Sequence, residues 1–130
     1  ASSMGDVLLI LKILFDHQQT GGSISEYSLG KKLPWLTPMD WEYHFKVLRG
    51  AKLVTLQSEG EVLLSRDLHL YSFSQLYSVY FSKGLTLGLN GDEYWQVAIN
   101  SIFDQGVGQM TAEWTMSLAD IFQGESEKVG

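Results

Sequence analysis

The chain is expected to be mainly α-helical with a small β-hairpin: a winged helix-turn-helix followed by C-terminal helices. Three observations predict this. Ser25 and Thr37 each stand where a helix N-cap belongs, with an apolar or periodic segment behind them. Pro34 cuts the first of these two helices short. Two apolar-rich runs, Leu53–Gln57 and Glu61–Ser65, then flank Ser58-Glu59-Gly60, a three-residue hairpin loop with a glycine. Helix, tight turn, helix and hairpin in that order leave few other folds.

The elements follow in order. Helix 1, from about Asp6 to Gln18, is apolar almost all round: Val7, Leu8, Leu9, Ile10, Leu11, Ile13, Leu14 and Phe15. A surface helix shows one apolar stripe, so this one needs cover on several sides. Three sources are open: the C-terminal helices, a second copy, or chain upstream. Thr20-Gly21-Gly22 closes it. Helix 2 starts at the Ser25 cap, with Ile24 and Leu29 spaced as a hydrophobic staple, and runs to about Leu33. Thr37-Pro38 opens helix 3, with Asp40 in its first turn to complement the positive helix end. Trp41, Phe45 and Leu48 recur on one stripe of it, and Gly50 is its expected stop.

Beyond the hairpin, Ser72 with Gln75 forms a capping box, stapled by Tyr71 and Leu76, for a helix to about Phe81. Asn90 with Glu93, stapled by Leu89 and Tyr94, starts a longer helix with Trp95, Ile99, Ile102 and Phe103 on one side. Gly106 and Gly108 weaken its middle by about 1 kcal/mol each relative to alanine. Ser117 and Asp120 cap a last short turn, stapled by Met116 and Ile121. A single domain over 1–130 is expected, with the winged helix at about 6–67, a helical extension at about 72–122 and a frayed tail at 123–130.

Composition narrows the class. Hydrophobic residues make up 45% and charged residues 18% of the 130, as in globular chains. With no cysteine, disulfides and thiolate metal sites are excluded. The longest apolar run is Val7–Leu11, short of the roughly 20 residues a bilayer span needs. The opening lacks the basic region of a signal peptide, and Ala1–Met4 are open to reading as a tag remnant.

The net charge of −6 conceals an asymmetry. Between residues 31 and 52, Lys31, Lys32, Lys46, Arg49 and Lys52 face only Asp40 and Glu42, a local balance of +3 that leaves −9 elsewhere. Phosphate contact would require a basic patch of this kind, and a solvated helix face would also carry one. The expected wing tip, however, reads Glu59-Gly60-Glu61, two carboxylates that would repel a polyanion. Trp35, in the turn between the helices, is a large ring placed to be half exposed and open to a partner. The candidate partner or nucleic-acid face is therefore Lys31, Lys32, Trp35, Lys46, Arg49 and Lys52. The remaining aromatics, Trp41, Tyr43, Trp95 and Trp114, read as core.

No catalytic, cofactor or metal site is expected. His17, His44 and His69 lack the spacing of metal ligands and read as structural or surface residues. Gly106-Val107-Gly108 lacks the preceding strand and third glycine of a dinucleotide loop.

Three stretches carry a resemblance. They are the Ser25–Leu33 helix ending at Pro34, Leu63-Leu64-Ser65-Arg66-Asp67-Leu68 leading to Ser72-Phe73-Ser74-Gln75-Leu76-Tyr77, and Ser117-Leu118-Ala119-Asp120-Ile121-Phe122. In that order they resemble the C-terminal cytoplasmic extension of the YihY/BrkB family of bacterial inner-membrane proteins, long labelled ribonuclease BN. The resemblance covers most of residues 7–122. It implies a missing N-terminal bundle of membrane helices, a place on the cytoplasmic face of the inner membrane, and a label of ribonuclease. RNA cleavage needs metal ligands or an acid–base pair at the phosphate, and no such constellation is legible. The leading expectation is a non-enzymatic interaction or regulatory domain that binds a protein partner or its own twin. The alternative is DNA or tRNA binding through the helix-turn-helix.

Overall fold

The computed structural model describes residues 3–80, 88–105 and 112–124. The protein is mainly helical with one small antiparallel sheet, and it divides into two compact units, Ala1–Asp67 and Leu68–Gly130.

The first unit runs α1 (Met4–Gln19), β1 (Ile24–Ser25), α2 (Glu26–Lys32), α3 (Pro38–Gly50), β2 (Val54–Leu56) and β3 (Glu61–Leu64). Helix α1 begins two residues earlier than its apolar pattern suggests. Ser3 caps it: the Ser3 hydroxyl accepts from the Asp6 N–H, and the Asp6 carboxylate accepts from the Ser3 N–H. Ser3 and Met4 are both buried. The first three turns bury residues on nearly every side, as the all-round apolar pattern requires, and β3 packs against them.

The sheet has three strands in the order β1-β3-β2, one more than the expected hairpin. Ile24 pairs with Val62 and Ser25 with Glu61. The extra strand escapes sequence reading because its two residues do two jobs. An N-cap residue already has extended backbone, so Ser25, at φ −75° and ψ 155°, serves as cap and as strand together. Ile24, buried beside Leu29, is likewise staple and strand. The hairpin itself forms as expected, with Thr55 opposite Leu63 and Gly60 at φ +86° closing a three-residue loop. The Gly60 carbonyl accepts from the Glu26 N–H at 2.8 Å, tying the loop to the start of α2.

Helix α3 carries the complete Thr37–Asp40 capping box with Pro38 in its first turn. It ends at Gly50, as the sequence leads one to expect. Gly50 is an ordinary last helical residue, and Lys52, at φ +61°, takes the left-handed position. The Leu53 N–H reaches the Leu48 carbonyl at 2.9 Å and the Lys52 N–H reaches Arg49 at 3.0 Å, a Schellman closure with Leu48 and Leu53 both fully buried. The left-handed residue of that closure is Lys52, two positions beyond the glycine.

The second unit comprises a 3₁₀ turn (Leu68–Leu70), α4 (Phe73–Tyr80), α5 (Tyr94–Gln105), α6 (Ala112–Thr115) and α7 (Leu118–Gln123). The Ser72–Gln75 box opens α4 through both of its hydrogen bonds, and Ser117 caps α7. A short bridge joins the two starts: the Leu118 N–H donates to Tyr71 at 2.8 Å and the Phe73 N–H to Met116 at 3.0 Å. Helix α5 starts at Tyr94, not after Asn90. The Glu93 carboxylate, the expected partner of Asn90, accepts instead from the Trp95 ring N–H, and the Gln96 side chain accepts from the Gly91 N–H. Trp95, Ile99 and Ile102 form its buried stripe as expected. Phe103 and Trp114 each pack edge to face on Phe73 and Tyr77, with centroids 5.5–6.2 Å apart, and Phe73 and Tyr77 are tilted against each other at 6.4 Å. Phe81, Gly106, Gly108 and the tail from residue 125 lie outside the described residues.

Candidate functional site

The six candidate residues do not form one patch. Lys31 and Lys32 end α2 and line an open cleft of about 560 Å³ together with His17, Ser23, Ser28 and Glu61. Glu61 is no bare wing-tip charge there: it sits in β3, and its carboxylate accepts from the Ser23 hydroxyl at 2.7 Å. Of the two carboxylates only Glu59 is exposed. The Lys31 ammonium lies 5.0 Å from the centre of the Tyr27 ring, a cation–π contact on the outer face of α2.

Arg49 and Lys52 line a second open cleft, about 490 Å³, at the end of α3. Its other walls are Val54 and Thr55 of β2, then Ser65 and Arg66 just after β3. Thr55 and Ser65 hydrogen-bond to each other through their hydroxyls. No lining residue is acidic. Lys46 is exposed on α3 and lines neither cleft.

Trp35 is 56% exposed, yet it is held: its ring N–H donates to the Asp6 carboxylate at 2.8 Å. Asp6 is buried and also closes the α1 capping box, so one carboxylate fixes both the start of α1 and the attitude of an exposed ring. Tyr27 (75%) and Met39 (78%) are the other exposed large hydrophobics of this unit. All three fall within α2, the turn and the start of α3.

Sequence reading missed Tyr27, Met39, Asp6 and Arg66. A signal existed for the first two: each lies two positions from a core-facing residue of its own helix, Leu29 and Trp41, hence about 200° around it. Asp6 and Trp35 meet across 29 residues, and Arg66 joins Arg49 only once the hairpin folds back, so neither contact has a local signature.

Of the histidines, His44 is wholly buried in α3. Burial pushes its pKa down, opposed by the charges of Asp6 and Asp40. His17 is part-buried with Nδ1 3.0 Å from the Ile13 carbonyl, and His69 is exposed. Trp95 is buried, whereas Trp41, Tyr43 and Trp114 are half-buried, so the expected aromatic core is only partly closed over. Among the described residues no three His, Asp or Glu side chains stand where one metal ion could be held. None of their helices is long and apolar enough to cross a membrane.

Comparison of the chain with protein-family models, curated proteins and solved structures finds no match.

Proposed function

We propose that Ala1–Asp67 is a winged helix, and that the chain is the non-enzymatic, cytoplasmic interaction module of a bacterial inner-membrane protein of the YihY/BrkB type. Its partner is a protein surface, a second copy of the chain included. The order α1-β1-α2-α3-β2-β3 with the sheet order β1-β3-β2 supports the fold reading, since a short strand before helix 2 pairs with the hairpin. The observation that carries the function is that three large exposed hydrophobic residues, Tyr27, Trp35 and Met39, all fall within α2, the turn and the start of α3. Aromatic anchors of this kind, one already orientated by a buried carboxylate, are what protein interfaces use, and they lose little conformational freedom on docking.

Hydrogen exchange compared between this chain and the full-length membrane protein tests the proposal, alongside sedimentation velocity over a wide concentration range. Protection of residues 26–39 in the full-length protein, or self-association weakened by Tyr27→Ser with Met39→Ser, is expected. A monomer at all concentrations, with residues 26–39 equally exposed in both proteins, overturns it.

Nucleic-acid binding is the second reading, favoured by Arg49 and Lys52 sharing an acid-free cleft. Against it, Lys31 and Lys32 share theirs with Glu61. Fluorescence anisotropy with duplex DNA and tRNA at low salt decides; binding that falls steeply with salt would raise this reading above the first.

A further inference from the structure

We infer that the cleft between the end of α3 and the β2–β3 hairpin is a binding site for a compact phosphate-type dianion, held by Arg49, Lys52 and Arg66 with the hydroxyls of Thr55 and Ser65. The site is independent of the helix–turn–helix face and of the partner proposed for it.

Charge makes the first argument. In a chain of net charge −6, three of the six residues around this cleft are cations and none is acidic. Asp67, next in sequence, does not line it. The negative end of α3 points here, but a helix terminus carries about half an elementary charge, against the two full positive charges of Arg49 and Lys52 alone.

Donor geometry makes the second. Arginine presents a planar fork suited to phosphate oxygens, lysine a mobile point charge, and the hydroxyl pair one short-range donor, the other proton being held between Thr55 and Ser65. Thr55 and Ser65 already touch, so their oxygens converge on one place and not on two. The backbone adds a further donor. Ser65 bonds to Leu53 and Gln57 to Glu61 across the hairpin, so the alternation of the ladder turns the Val54 N–H away from β3. Since β2 is the outer strand of the sheet and Val54 lines the cleft, that N–H faces outward beside it.

Backbone strain makes the third. Lys52 occupies a left-handed position where glycine costs least, at φ +61°. The turn alone gains nothing from a long cationic side chain there, whereas an anion beside Arg49 does.

The shared chemistry is a phosphate monoester or inorganic phosphate, and a lipid headgroup is the other source. The test is amide chemical-shift mapping of the intact chain with inorganic phosphate, against chloride at matched ionic strength, with phosphatidic acid vesicles in phosphatidylcholine as a second arm. Lys52→Gly and Arg66→Gln are the variants; the first relaxes the backbone, so it folds if the parent does. Saturable shifts at Val54, Thr55 and Ser65 are expected, with affinity lowered about tenfold in each variant. Vesicle binding with no response to free phosphate, lost in the same variants, assigns the site to a headgroup and supports it equally. Shifts that follow ionic strength alone, or phosphate binding undiminished in both variants, overturn the inference. So does duplex DNA binding whose footprint extends over Lys31, Lys32 and Lys46, because the dianion would then be a fragment of a polyanion surface.

Discussion

Removing the Asp6 carboxylate tests the joint that holds Trp35. Asp6→Ala deletes two hydrogen bonds at once, from the Ser3 N–H at 3.0 Å and from the Trp35 ring N–H at 2.8 Å. The first is one arm of a capping box, worth about 1 kcal/mol including the favourable charge at the helix start. The second involves a charged acceptor and would be worth about 1.5–3 kcal/mol if sealed from water. The Trp35 ring is 56% exposed and can turn its N–H to solvent, so about 1 kcal/mol is the better figure. The variant should therefore lose about 2 kcal/mol, a large part of the 5–15 kcal/mol typical of a domain. Trp35→Phe, which keeps a ring and removes the donor, should lose about 1 kcal/mol, and the double variant should show about 1 kcal/mol of coupling. Urea unfolding followed by circular dichroism measures all three. Additive losses would show that the carboxylate does not hold the ring, and a cost for Asp6→Ala under about 0.5 kcal/mol that it holds neither the helix nor the ring.

Four further outcomes follow, three from the backbone and one from His44. Gly50→Ala should stabilise by about 0.5–1 kcal/mol, because Gly50 is an ordinary helical residue with open space where a Cβ would go. Gly60→Ala also meets nothing, yet it should destabilise by about 1 kcal/mol because φ is +86° there; thermal melts of the two should shift in opposite directions. Lys52→Gly should raise the melting temperature slightly, since relief of the left-handed strain, about 1–2 kcal/mol, outweighs the extra freedom glycine has when unfolded; a lowered melting temperature would contradict the Schellman reading of Lys52. His44 is held neutral by burial, so the unfolded chain binds its proton more readily than the folded one. Its contribution is thus fully present above about pH 6.5 and is lost as pH falls below that value, at up to about 1.4 kcal/mol per unit. Urea midpoints of the parent measured from pH 7.5 to 5 should fall more steeply than those of His44→Leu, and parallel curves would contradict this.

Local chemistry decided much of the molecule in advance. The caps at Ser25, Thr37, Ser72 and Ser117 each act over three residues, so the sequence states them outright. The hairpin loop is equally local: Gly60 supplies the positive φ that a three-residue connection needs. The buried stripes of α3 and α5 follow from helical period, and the all-round burial of α1 from its unbroken apolar run.

Elements whose partners are distant in sequence were legible only in part. Strand β1 exists because Val62 and Glu61 arrive beside Ile24 and Ser25, and no property of those two residues announces it. Helix α3 stops at Gly50 as its sequence states, but the closure beyond it, with Leu48 and Leu53 both buried, places Lys52 in the left-handed position. The start of α5 moved because Gln96 reached back to Gly91. The basic residues behave the same way. Their number and sign are sequence properties, but folding parted Lys31 and Lys32 from Arg49 and Lys52, and it added Arg66 to the latter pair. Period and capping are interactions between near neighbours, so the chain by itself determines them. Which charges share a cleft, and which ring stays exposed, depends on contacts across tens of residues that exist only once the tertiary structure has closed.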